Sequence, residues 1–316
     1  IIRNGLNSVF RELNNYIDVN FSYAGEFSSS YNAYQQGVDL IISLAGNEIF
    51  ASSSGLAVGG FPNYSISGVP NYYSSFGFPS QVFSGDVILN YTSSLSYFYD
   101  VSSGPGSLFH NIILHEFGHA LGLKHPHDTG GTGRPVFGSS HGLSRNLDND
   151  WYTVMSYNAS HGGDFSLGSY DPETFMILDV LALQALYGKN MQSHSGNTVH
   201  RHVADGAFST IWDASGIDEI NLENSGYDWI IDLPWYQWDS SDELSGYAVT
   251  YTNSTADYPT DLIWLLGNIE NAKGGSGNDK IFGNNLNNYI SGGPGNDRIE
   301  GWEGNDTLIG GSGSDT

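Results

Sequence analysis

GGSGNDKIF, GNNLNNYIS, GGPGNDRIE, GWEGNDTLI and GGSGSDT run without a break from Gly274 to Thr316, each copy opening on a glycine, at Gly274, Gly283, Gly292, Gly301 and Gly310. The eighth position is aliphatic in every full copy (Ile281, Ile290, Ile299, Leu308), and the sixth is Asp279, Asn288, Asp297, Asp306 or Asp315. A flexible Gly/Asn linker has no reason to place an aliphatic residue at every ninth position. A stacked coil does: the aliphatic residue fills a narrow core between short strands, glycines turn the chain tightly with carbonyls pointing inward, and Asp adds a carboxylate for calcium. If two nonapeptides make one turn, alternate copies stack. One edge then carries the loops at Gly274, Gly292 and Gly310, with Asp279, Asp297 and Asp315 in register. The other carries those at Gly283 and Gly301, where Asn288 faces Asp306. An amide brings no charge, so a tighter site is expected between Asp279 and Asp297 than between Asn288 and Asp306. Asn284 also replaces the second glycine of its copy.

Outward from the repeats, the composition narrows the classes. The chain has 316 residues, enough for two domains, and a net charge of −24 from ten basic and thirty-four acidic side chains. That balance excludes a nucleic-acid partner, because binding phosphates needs a basic face. An aromatic content of 14% argues against disorder, so part of the acidic excess reads as oxygen ligands for hard cations. There is no cysteine, so disulfides and thiol chemistry are absent and any zinc site must use His, Asp or Glu. No apolar run suits membrane insertion: Phe175 to Tyr187 is broken by Asp179 and Gln184. No secretory signal peptide opens the chain.

Ile2, Leu6, Val9, Phe10, Leu13 and Ile17 fall at helical spacing, so the chain opens in an amphipathic helix. Val38–Ile42, Gly55–Phe61 and Asp86–Tyr91 read as strands between Gly, Ser and Pro-rich turns. Leu108–Leu123 is predicted as a second helix and Pro172–Tyr187 as a third, with Pro172 in its first turn and Gly188 after its end. Ser139–Asn149 lacks an apolar period and reads as a surface loop. The helical signal disappears beyond about Met191, which places a domain boundary near Lys189–Gln192.

HEFGHALGLKH spans His115 to His125. His115 and His119, four apart on a helix, present two imidazoles on one face. Glu116 stands beside the first, where a carboxylate can take a proton from metal-activated water. Gly122 permits a sharp break, after which His125 approaches from another direction. Three protein ligands leave a coordination position for water, the mark of catalytic rather than structural zinc. The shorter H-E-x-x-H arises by chance in roughly one such chain in a hundred, and the full pattern in roughly one in twenty thousand. The extended pattern is the metzincin signature, with a Met-turn expected downstream. Val154-Met155-Ser156-Tyr157 fits it, placing Met155 in the core beneath the metal. The histidines outside the motif, His110, His127, His141, His161, His200 and His202, read as surface residues rather than loop ligands, because they lack a paired spacing.

With these motifs the chain resembles the serralysins, bacterial RTX-type metalloproteases, over nearly its whole length. HEFGHALGLKHP, TVMSY and LDVLALQALYGKN fit one half, and TIWDASGIDEINL and NIENAKGGSGNDKIFGN the other. The resemblance implies an α+β metzincin catalytic domain over 1–190, then an all-β parallel β-roll over 191–316 with the nonapeptide repeats at 274–316. It implies zinc and several calcium ions, and a monomer that cleaves extended polypeptides outside a Gram-negative cell after type I secretion, with room for a proteinaceous inhibitor as partner. Tyr157 matches the family's displaceable tyrosine zinc ligand. Asp213, Ser215, Gly216 and Asp218 match a calcium site shared with a segment resembled by His194, Gly196 and Thr198, and Asn268 and Glu270 match ligands just before the roll. Within the repeats, the second, fourth and sixth positions carry over: Gly275, Gly277 and Asp279; Asn284, Leu286 and Asn288; Gly293, Gly295 and Asp297; Trp302, Gly304 and Asp306; Gly311, Gly313 and Asp315. The first two of each set would act through backbone carbonyls. The chain starts at the first helix, without the family's preceding strand, and stops inside a repeat, so both ends read as truncated.

The mechanism these readings imply is attack by water, with His115, His119 and His125 on zinc, Glu116 as base, and Tyr157 beside zinc at the oxyanion. Gly55–Phe61 is either the cleft edge that pairs with substrate by strand addition or an ordinary exposed edge strand. The rival is a catalytically inactive, calcium-dependent adhesion or binding protein. Glu116 argues against it, since binding alone would need no base.

Overall fold

A computed structural model describes residues 2–28, 30–45, 57–59, 86–90, 105–126, 147–158, 172–202, 206–237, 244–250 and 259–316. Helix α1 (Ile2–Tyr16) buries Val9, Leu13 and Tyr16, as its apolar period requires, and a short α2 (Ser30–Gln35) not read from sequence follows. A first sheet has the order β1-β3-β2. Strand β1 (Ile42–Ala45) is parallel to β3 (Val87–Asn90), and β2 (Ala57–Gly59) pairs antiparallel on the other side of β3. The strand expected at Val38–Ile42 thus begins only at Ile42. Helix α3 (Leu108–Ala120) packs against β2 and β3 and buries Ile113, Leu114 and Phe117 completely.

Helix α4 (Ile177–Tyr187) begins five residues beyond Pro172, contrary to the expectation of Pro172 in its first turn. The reason is local chemistry. Asp179 Oδ2 accepts the Met176 amide at 3.0 Å and fixes the start there, while Pro172 forms an isolated bridge with Phe208. Gly188 closes the helix, its amide donating to Gln184 O. The surface-loop reading also fails where it can be checked, since Leu147 and Asp148 are buried and Ser156 Oγ donates to Asp148 at 2.7 Å. Residues 139–146 lie outside the described residues.

The second half is a coil of strands. One sheet runs β14-β12-β10-β6-β4, all parallel, from β4 (Val199–Arg201), β6 (Glu219–Asn221), β10 (Asn271–Lys273), β12 (Tyr289–Pro294) and β14 (Thr307–Ser312). The other runs β13-β11-β7-β8-β9-β5, from β5 (Phe208–Asp213), β7 (Trp229–Gln237), β8 (Leu244–Thr250), β9 (Leu262–Gly267), β11 (Lys280–Phe282) and β13 (Arg298–Glu300). Strand β8 runs antiparallel to both β7 and β9, so the all-parallel roll expected over 191–316 is interrupted there. Ile281 pairs with Ile299 and Ile290 with Leu308, so each repeat stacks on the second one along, as the two-per-turn reading expects. Ile220, Ile231, Ala272, Ile281 and Ile290 are all fully buried in the core between the sheets.

The coil starts well before the first nonapeptide. Lys280–Phe282 pairs with Ile230–Asp232, and Asn271–Lys273 with Glu219–Asn221, although the earlier segments lack the glycine period. Packing also crosses residue 190. Phe208, Trp212, Leu262, Trp264 and Leu266 share one core with Val9, Phe117 and Leu183, and Trp264 Nε1 donates to Trp151 O at 2.7 Å. The change of secondary structure near residue 190 therefore divides two architectures that are joined by buried side chains.

Candidate metal centre and acidic turns

His115 and His119 lie one turn apart on α3, and both are buried. Ser107 caps the helix, its hydroxyl accepting the His110 amide at 3.2 Å. At the other end, Gly122 adopts φ 101, a left-handed conformation that a side chain would strain, and its amide bonds back to His119 O. The reversal carries His125 back over the helix. His125 Nε2 lies 3.2 Å from His115 Nε2 and 3.1 Å from His119 Nε2. Nitrogens held 2.0–2.1 Å from a tetrahedral zinc ion lie about 3.4 Å apart, so this donor set fits that ion.

Backbone carbonyls aim the rings. His115 Nδ1 donates to Val154 O at 2.8 Å and His119 Nδ1 to Leu123 O at 2.9 Å. A carbonyl can only accept, so each Nδ1 carries the proton and each Nε2 lone pair is left for a metal. Glu116, next along the helix, is 8% exposed. The Tyr157 ring stacks on His115 with centroids 5.3 Å apart and an interplanar angle of 21°, lies 4.5 Å from the His125 ring, and is half exposed.

The turn carrying Val154 is set by Asp179, whose part was not read from the sequence. Thr153 Oγ1 donates to it at 2.5 Å and Val154 N at 2.7 Å. Burial pushes its carboxyl up to about 7, against these donors. Its only sequence signal was an acid interrupting an apolar helix. His110, expected at the surface, is buried, its Nε2 2.8 Å from Glu173 O, because it faces inward on α3. His127, His141 and His161 lie outside the described residues.

Met155, 1% exposed, sits directly beneath Gly118 of α3, where an added Cβ would run into its sulfur. Gly118→Ala should therefore cost about 1–3 kcal/mol through overpacking and shift α3 with its two histidines. Thermal melting together with zinc retention after desalting checks this; an unchanged Tm would show that Met155 has room to move.

In the coil, the expected calcium residues gather at two places. Around Gly216 (φ 151), a side chain would meet Gly196 O at 2.7 Å and both Asp218 oxygens at 2.8 Å. Thr198 N donates to Asp218 Oδ1, Asp218 N to Glu270 Oε2, and Ser215 N to Asp213 Oδ1. Asp218 Oδ2 is buried with no hydrogen-bond partner. Burial, and after it the charges of Asp213 and Glu270, push its carboxyl up to about 6, a cost that a bound cation would remove. Asn268 is exposed. The His194 ring, by contrast, turns to Trp212 O at 2.9 Å.

Along the repeats, Asp279 N donates to Asp297 Oδ1 at 2.9 Å and Asp297 N to Asp315 Oδ1 at 3.0 Å, so the three carboxylates stand in register. Gly275 N and Trp229 N donate to Asp279, and Asp297 Oδ2 is buried without a partner. Added Cβ atoms at Gly295, Gly313 and Gly304 would run into Gly277 O, Gly295 O and Leu286 O, so the fourth-position carbonyls stack as well. Gly293 and Gly311 are left-handed at φ 106 and 113, and Trp302 takes that conformation at φ 66 without being glycine.

Repeat two closes differently. Asn288 Nδ2 donates to Glu270 O and to Asn284 Oδ1, both at 2.8 Å, while Asn288 Oδ1 accepts the Asn284 amide. These hydrogen bonds do what an ion would do elsewhere. Asn288→Asp would set a carboxylate against those two oxygens. It should melt earlier than wild type without calcium and bind calcium more tightly at one site facing Asp306. Calcium titration and melting with and without calcium read both effects, and unchanged affinities would show that this edge takes no ion.

The fold and the site define a class: a cluster of three imidazoles, two on a helix and one just beyond it, that could hold a metal ion, joined to a coil of strands whose turns present carboxylates. Comparison with known proteins narrows it. Residues 267–285 and 282–316 match the RTX calcium-binding nonapeptide repeat. The chain is 32% identical over 226 residues to "Metalloprotease AprA" of Pseudomonas entomophila (strain L48), covering 63% of this chain and 42% of that protein. It is 36% identical over 184 residues to "Serralysin C" of Dickeya chrysanthemi, covering 53% and 34%. It is 32% identical over 193 residues to "Serralysin" of Proteus mirabilis, covering 56% and 36%. The chain is thus similar over part of its length to serralysin-type metalloproteases, and it carries RTX repeats. The aligned share is smaller than the near-whole-length likeness suggested by its motifs, and the chain spans less than half the length of these relatives.

Proposed function

We propose that this chain holds the zinc endopeptidase centre of a secreted protease of the metzincin type, stabilised by calcium in its β-roll. The observation that carries this reading is the convergence of His115, His119 and His125 at 3.1–3.2 Å, with Nδ1 of the first two occupied by carbonyls. His115, His119 and His125 would hold zinc, which would supply Lewis acidity and bring the pKa of water toward about 7. Glu116 accepts the proton of the attacking water and returns it to the leaving amine. The Tyr157 hydroxyl donates to the oxygen that gains charge as the scissile carbonyl is attacked. Among the described residues strand β2 is an edge of its sheet, and it packs on α3, which suits pairing with an extended polypeptide by its backbone. Sequence-tolerant cleavage follows from that mode, because backbone amides are common to all substrates. Within the coil, Asp279 with Asp297, and Asp218 with the turn at Gly216, are the proposed calcium ligands.

Hydrolysis of unfolded casein tests the reading. Activity should disappear when zinc is chelated with calcium left in excess, and return when zinc is added back. No hydrolysis from calcium- and zinc-loaded protein would favour the binding-protein alternative.

Among the described residues no helix is long and apolar enough to cross a membrane.

A further inference from the structure

We propose that His194, His200 and Asp213 form a second zinc site, at the junction of the coil and the helical half, separate from the three-histidine centre. His194 lies in the turn before β4, His200 within β4, and Asp213 at the end of β5. One ligand atom from each can be chosen so that all three lie within 4.8 Å of one another. His200 Nε2 donates to Asp213 Oδ2 at 2.7 Å, and the two imidazole rings meet edge to face at 4.9 Å.

The arrangement repeats the device of the main centre. His194 Nδ1 lies 2.9 Å from Trp212 O, and a carbonyl can only accept, so that nitrogen carries the proton and Nε2 keeps its lone pair. This placement comes at a conformational cost. His194 has φ 47, the left-handed region that a side chain other than glycine seldom occupies, and such strain persists where surrounding structure imposes it. Sequence spacing did not mark the pair, since His194 and His200 are six apart; the fold brings both beside Asp213 at the end of β5.

Ligand chemistry separates this cluster from the calcium turn beside it. Calcium takes oxygen ligands, and the turn at Gly216 supplies them. Imidazole nitrogens suit zinc and are out of place around calcium. Asp213 is fully buried and has an oxygen for each side: Oδ1 accepts the Ser215 amide of the acidic turn, while Oδ2 meets His200. Ligands on a tetrahedral zinc ion stand about 3.4 Å apart, so a small ring rotation and a longer His200–Asp213 separation would admit the ion in place of the proton they share. His194 is only half buried, which leaves a route for entry. An ion there would tie the turn around residue 194 to β5, whose Trp212 is part of the core shared with the helical half.

The full chain, saturated with calcium, can be loaded with zinc, desalted and assayed for metal, with cobalt absorption as an independent count of nitrogen-ligated sites. Wild type should keep two equivalents of zinc. His200→Gln, which can still hydrogen-bond to Asp213, should keep one, as should His194→Gln. His119→Gln should also keep one, and the double variant His119→Gln with His200→Gln none. Circular dichroism of each calcium-loaded variant confirms that it is folded. A single equivalent in wild type, or two retained in both His194→Gln and His200→Gln, overturns the proposal. Because the readout is stoichiometry, failure here leaves the proteolytic reading standing, and absence of proteolysis leaves this one standing.

Discussion

Glu116→Ala should keep the zinc of the three-histidine centre and lose about 10³–10⁴-fold in kcat/KM, the upper part of what a positioned general base contributes. All three imidazoles and the carbonyls that aim two of them remain in this variant, so the metal site is intact. What disappears is the carboxylate that follows His115 on α3, shielded from solvent at 8% exposure. Zinc analysis alongside peptide hydrolysis separates the outcomes. Loss of both metal and activity would give Glu116 a structural part in the site. Near-native turnover with zinc bound would remove it from the mechanism.

Tyr157→Phe should lower kcat about 10²-fold with KM nearly unchanged, the pattern of a hydrogen bond made mainly in the transition state. The substitution is informative because the ring already has packing partners. Its stacking on His115 and contact with His125 survive in phenylalanine, so only the hydroxyl is tested. Steady-state kinetics on a peptide long enough to fill the cleft gives the split. A change confined to KM would place the hydroxyl in substrate binding, and no change would place it outside the reaction.

Much of the histidine cluster was legible because its information is local. Four-residue spacing on a helix places His115 and His119 together, and Gly122 supplies the reversal for His125, whatever the rest of the chain does. Asp179 was not legible as the support of Val154, since it acts from a different helix across 25 residues of sequence. Two of the described histidines outside the motif were misread for a related reason. His110 and His200 have no paired spacing; the first is buried by the face of α3 it lies on, and the second is held against Asp213 at the end of β5.

The repeats show the same division most plainly. A nonapeptide period with an aliphatic residue at each eighth position is enough to specify a coil, its register of eighteen residues per turn and the alignment of Asp279, Asp297 and Asp315, because every copy poses the same packing problem and finds the same solution. That the coil extends back through Ile230–Asp232, Glu219–Asn221 and Val199–Arg201 was decided only in three dimensions. Parallel pairing there is made by backbone amides and carbonyls, which every residue carries, so it leaves no period in the side chains. For the same reason the sequence alone could determine which side chains line up along the repeats, whereas only the tertiary structure set Asn288 against Glu270 O and brought two histidines beside a buried aspartate, because those contacts join segments with no shared period.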